Sequence, residues 1–89
     1  MDFRWNEWNI DHIAKHGVDP IEAEAVVRGA KRPYPLHDKH EDKWLVRGRG
    51  RGGRPVQVVF VLDEDETVFV IHARPLDKRK EKRRFRREK

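Results

Sequence analysis

Pro55-Val56-Gln57-Val58-Val59-Phe60-Val61-Leu62 is the most apolar stretch of the chain. Its β-branched residues favour extended backbone, because a branched Cβ packs well on a pleated surface. A run this continuous predicts a strand covered on both faces and therefore central in a sheet. On its C-terminal side, Asp63-Glu64-Asp65-Glu66 reads as an acidic turn and residues 67–74 as the next strand. On its N-terminal side, residues 48–53 form a glycine–arginine turn and residues 43–47 a third strand. Turns this short make an antiparallel meander the economical arrangement.

The first third of the chain reads as helical. Phe3 and Trp5 alternate with Asp2 and Arg4, enough for a short opening strand. Asn6 then caps a helix over residues 7–16, with Trp8, Ile13 and Ala14 apolar, Asp11, His12 and Lys15 facing water, and Gly17 as the stop. Asp19-Pro20-Ile21-Glu22 is a second helix start with the pattern of a capping box, and Ile21, Ala25 and Val26 are its expected apolar stripe up to Gly29. Residues 33–42, with Pro33 and Pro35, form a loop or an edge strand, and Asp77 caps a closing helix that Phe85 and Leu76 anchor. The expected order is β-α-α-β-β-β-α, an α+β fold in which residues 1–89 make one domain.

Composition narrows the function. With 36% hydrophobic and 42% charged residues in 89, the core is thin. The chain has no cysteine, hence no disulfide framework and no thiolate metal site, which suits the cytoplasm. No apolar run approaches the roughly 20 residues that a membrane helix needs. The N-terminus carries acids and tryptophans rather than a basic-then-apolar leader, so no signal peptide is expected. The net charge of +5 is uneven. Residues 78–89 hold nine Lys/Arg against two Glu, so residues 1–77 are left with a balance of −2. A second basic concentration sits at Arg47, Arg49, Arg51 and Arg54. Arginines concentrated in two places point to a polyanion, with nucleic acid the favoured one, through steering and counterion release. A charged tail that only keeps a small domain soluble is the plainer alternative.

Four places could carry chemistry. Residues 68, 70, 72 and 74 fall on one face of an ideal strand, which sets His72 beside Arg74 with Val68 and Val70 behind. The arginine would clamp phosphate oxygens and the imidazole would move a proton near neutral pH; otherwise both simply end a strand in solvent. In the closing segment, Glu81 stands among Lys80, Lys82, Arg83 and Arg84, either a general base or one partner of an i,i+4 ion pair. His37 and His40 lack a convincing third ligand, so no metal is expected; one of them, with Lys43, is better placed lining a site formed by the strands. The Arg47–Arg54 turn lacks the Lys-Ser/Thr ending of a P-loop and joins strands, leaving a flexible arginine tip that grips phosphate or a solvated turn.

Taken in order, these segments resemble the BrnT toxin family. Phe3-Arg4-Trp5-Asn6-Glu7 is similar to its Phe-x-Trp-Asp-Glu opening, and Lys15-His16-Gly17-Val18 with Ile21-Glu22-Ala23 to its Lys-His-Gly-Val and Phe-Glu-Glu-Ala pieces. Asp38, His40 and Lys43-Trp44, then Gly53-Arg54, then Ile71-His72-Ala73-Arg74-Pro75 continue the match. The resemblance implies a RelE-like fold and a metal-independent, cofactor-free endoribonuclease that arrests translation. It implies RNA, free or on the ribosome, as substrate, and silencing by a ribbon-helix-helix antitoxin of the BrnA type, with DNA reached only through that antitoxin. Carried over by position, Arg74, Glu81, His40 and Lys43 are the catalytic candidates, with His72 beside them. Arg47, Arg49, Arg51, Arg54, Arg79 and Arg83 are the RNA-binding candidates. The chain departs from the family in having His72 where Ser is usual, Phe85 where Tyr is usual, and a longer interval from Arg74 to Glu81. A non-catalytic RNA- or ribosome-binding protein of the same fold is the alternative.

Overall fold

The computed structural model describes residues 1–76. Its elements are β1 (Phe3–Arg4), α1 (Glu7–Ala14), α2 (Pro20–Arg28), β2 (Leu36–Asp38), β3 (Lys43–Arg49), β4 (Pro55–Leu62) and β5 (Val68–Pro75). A single 3₁₀ turn at Arg51–Gly53 joins β3 to β4. The expected closing helix lies outside the described residues.

Five strands form one mixed sheet in the order β1-β5-β4-β3-β2. After β1 the chain crosses through both helices to the far edge, then returns strand by strand as an antiparallel meander. It finishes with β5 parallel to β1. Over the described residues the result is an α+β fold with two helices and a five-stranded mixed sheet. The loop-or-edge segment is resolved as β2, a short edge strand paired to β3 with Leu36 opposite Leu45 and Asp38 opposite Lys43.

The core lies on the helix side of the sheet. Val46, Val56, Val58, Phe60, Val68, Val70 and Ala73 point inward and meet Ile13, Val18, Ala23, Val26 and Val27. Because β4 alternates buried with half-buried residues, it is central in order but not covered on both faces as expected: Gln57, Val59 and Val61 face the other way and stay partly exposed. We call that second surface the far face. A β-bulge shifts the register between Val59 and Phe60, which pair with His72 and Val70, so Ile71 is the extra residue. The bulge overturns the ideal-strand reading. Val68 and Val70 are buried, whereas His72 and Arg74 fall on the far face with Phe69, and Ala73 takes the next core position.

The helices differ from expectation in which stripe they bury. Asn6 caps α1 as expected, and it is here that a reciprocal capping box forms, with Asn9 Oδ1 accepting the Asn6 N–H at 2.8 Å. Asn9 and Ile13 are the buried residues of α1, while Trp8 and Ala14 are exposed. Gly17, at φ 73°, takes the left-handed conformation that ends the helix. In α2, Asp19 accepts the Glu22 N–H at 2.9 Å, but the Glu22 side chain does not return to close a box. It turns inward instead. Ile21 is therefore 76% exposed, and the buried stripe is Glu22, Ala23, Val26 and Val27. Trp5 Nε1 donates to Glu24 Oε2 at 2.9 Å, tying α2 to the start of the chain.

Candidate nucleic-acid interface

The far face carries three cross-strand rows. Arg74 on β5 stands opposite Gln57 on β4, which stands opposite Arg47 on β3. Arg47 Nε donates to Gln57 Oε1 at 3.0 Å, so the row presents two guanidinium groups, both exposed. The next row is His72, Val59, Leu45 and Leu36, an apolar floor ending in an imidazole. The third begins with Phe69 opposite Val61. Lys43 opens β3 on this face beside Asp38 and forms an ion pair with Glu41, which holds its ammonium above its ordinary value. Leu36, Asp38, Lys43, Leu45 and Val59 line a shallow cleft of about 240 Å³, and His37 also lines it.

α1 wraps the β5 edge of this surface. Residues 8, 12 and 16 recur at one helical turn and form a stripe adjacent to the buried Asn9–Ile13 stripe. Trp8 stacks on His12 at 4.9 Å and on Phe69 at 6.0 Å between ring centroids. The indole is nevertheless 54% exposed. Arg4 lies over the Phe69 ring at 4.1 Å and donates to Asp63 at 2.8 Å. The His16 ring is 5.5 Å from that of His72, and the His12 ring 6.4 Å. Burial pushes the His72 imidazole below its ordinary value, and the nearby His16, Arg74, His12 and Lys43 push it further the same way. His12 and His16 are the functional candidates that the sequence reading missed; their i,i+4 spacing beside a strand histidine was the available signal.

The glycine–arginine turn is not a flexible tip. Glu22, 3% exposed, accepts from Arg54 Nε at 2.9 Å, from Arg54 Nη2 at 2.5 Å and from the Arg51 N–H at 2.7 Å. Arg54 also donates to the Gly17 carbonyl at 2.9 Å, and Arg51 pairs with Asp19. These bonds hold the Glu22 carboxyl below its ordinary range, chiefly through Arg54. Arg49 Nη1 donates to the Gly53 carbonyl at 3.1 Å. Arg51 and Arg54 thus serve the fold, and Arg47, Arg49 and Arg74 hold exposed far-face positions of β3 and β5.

His40 sits in the β2–β3 turn, where its N–H donates to Asp38 Oδ1 at 2.9 Å. Among the described residues no hydrogen bond or ring contact joins it to His72 or Arg74. The structure therefore assembles Arg74, His72 and Lys43 on one face and leaves His40 at its margin. Glu81, Arg79 and Arg83 lie outside the described residues. Among the described residues no group of three or more His, Asp or Glu is arranged to hold a metal ion, and no helix is long and apolar enough to cross a membrane. Comparison with protein-family models, with curated proteins and with solved structures gave no match.

Proposed function

We propose that this chain is a metal-independent endoribonuclease with a RelE-like fold, the toxin of a type II toxin–antitoxin pair of the BrnT kind. The observation that carries the reading is the far face, where Arg74 and His72 on β5 and Arg47 and Lys43 on β3 flank β4. Guanidinium groups fixed to a rigid sheet bind phosphate oxygens bidentately, and they meet the charge that grows on those oxygens as the ribose 2′-hydroxyl attacks phosphorus. An imidazole beside them handles the proton. The exposed Trp8 at the rim supplies a flat surface of the kind on which single-stranded bases stack. The ordered resemblance along nearly the whole chain supports the same reading, and with it the cytoplasm as site of action and a ribbon-helix-helix antitoxin as the silencing partner.

The test is cleavage of varied RNAs by the purified chain in EDTA. Arg74→Ala is expected to lower the rate by about 10²–10³-fold, the usual cost of removing one preorganised charge-stabilising donor. The fold should be unchanged, because Arg74 is exposed. Intact RNA combined with binding that weakens steeply with salt would replace this reading with that of a non-catalytic RNA- or ribosome-binding protein. Co-expression should recover a stable complex with a ribbon-helix-helix protein encoded beside the toxin. Harmless expression of the chain by itself would count against toxin status.

A further inference from the structure

Three imidazoles from two elements meet on the far face: His12 and His16 from α1 and the turn after it, and His72 from β5. We propose that His72 and His16 are the proton-transfer pair of RNA cleavage, which rests on the reading of the chain as a ribonuclease. A ring-to-ring separation of 5.5 Å leaves the edges of the two imidazoles within reach of different oxygens on one phosphorus atom. Arg74 shares the face of His72 one pleat further along β5, placed to hold the non-bridging oxygens. Trp8, stacked on His12 and Phe69, borders the same spot with an exposed indole against which the adjoining base can lie.

The step balances without a metal or a co-reactant. His72, uncharged, takes the proton of the 2′-hydroxyl as its oxygen bonds to phosphorus. The bond from phosphorus to the 5′-oxygen breaks, and that oxygen takes a proton from His16. A 2′,3′-cyclic phosphate and a 5′-hydroxyl end leave, and exchange with water returns both rings to their starting forms. Burial, chiefly, with His16 and His12 from the α1 segment, Arg74 from β5 and Lys43 from β3 around it, lowers the proton affinity of His72 and so favours its neutral form. Beside it β4 contributes only Val59 and the uncharged Gln57. His16 is exposed to solvent.

The experiment is the pH–rate profile of RNA cleavage in EDTA for wild type, His72→Gln and His16→Gln, with RNA binding and far-ultraviolet circular dichroism measured on each. A pair of which one ring must be neutral and the other protonated gives a bell-shaped profile. Each variant is expected to lose about 10²–10⁴-fold in rate while RNA binding persists, His72→Gln without the acid limb and His16→Gln without the alkaline limb. Because His16 is exposed, its variant tests the pair even where His72→Gln is destabilised. If His16→Gln cuts at the wild-type rate with an unchanged profile, this assignment falls and the ribonuclease reading stands. If wild type leaves every RNA intact, both fall. Cleavage lost in EDTA and restored by zinc would show that the rings act as ligands, and would likewise overturn the pair.

Discussion

Replacing Glu22 with Ala should destabilise this domain more than any exposed charge change. The carboxylate is 3% exposed and accepts from Arg54 Nε, Arg54 Nη2 and the Arg51 N–H. Removing it leaves the part-buried Arg51 N–H without its acceptor, a loss of about 1 kcal/mol, the low end of the range for a buried donor. It also leaves the Arg54 guanidinium unpaired, though the 37% exposure of that side chain lets water reach it. Breaking a fully buried pair costs about 3–5 kcal/mol, so about 3 kcal/mol is expected for a pair with one wet partner. In a domain of this size each kcal/mol moves Tm by about 4–8 °C, which puts Glu22→Ala about 12–24 °C below wild type. Glu22→Gln keeps the shape and an acceptor for the Arg51 N–H, so about half of that loss is expected. The assay is urea and thermal unfolding followed by circular dichroism near neutral pH. A Glu22→Ala protein whose Tm stays within a few degrees of wild type would refute the idea that this carboxylate holds the glycine–arginine turn to α2.

Two further outcomes follow from the same geometry. At Gly50 an added Cβ would lie 2.3 Å from Glu22 Oε2 and 2.8 Å from Val56 Cγ2. Both atoms are buried and pinned, so Gly50→Ala should cost about 1–3 kcal/mol by overpacking, and wild-type stability in urea would show that the turn yields. Stability should also fall in two stages on acidification. His72 sits below its ordinary 6.5 in the folded chain, so the unfolded chain takes up that proton first and stability declines as pH drops below 6.5. Glu22 sits below its ordinary 4.5, so its contribution is intact above that value and is lost as pH falls through the folded value. Urea titrations across this range should show the upper stage vanish in His72→Gln. Its persistence there would assign it to another group.

The sheet and the two helices were legible because their signals are local. A β-branched run, a turn between two strands, an Asn or Asp before a helix and a glycine after one each act within a few residues. The meander and the caps Asn6 and Asp19 could therefore be read directly. Arg74, His72 and Lys43 were nameable as candidates for the same reason, together with the resemblance along the chain. What local signals could not decide was which side chains face the core. In Val68-Phe69-Val70-Ile71-His72 every residue before the histidine is apolar, so nothing marks Ile71 as the bulge. Its placement depends on pairing with β4. In α2, Ile21 was the obvious core residue and Glu22 the obvious surface one, yet their places are exchanged. A backbone amide and a guanidinium, 29 and 32 residues further along, make a buried carboxylate favourable there. The same distant pairing drew Arg51 and Arg54 into the fold. It was the packing of α1 on β5 that gathered His12 and His16 against His72. By itself the sequence determined the two helices, the opening strand and the meander, and where basic residues lie. Only the tertiary structure decided which of those charges are spent on holding the fold and which remain on the far face, because desolvation and pairing depend on neighbours distant in the chain.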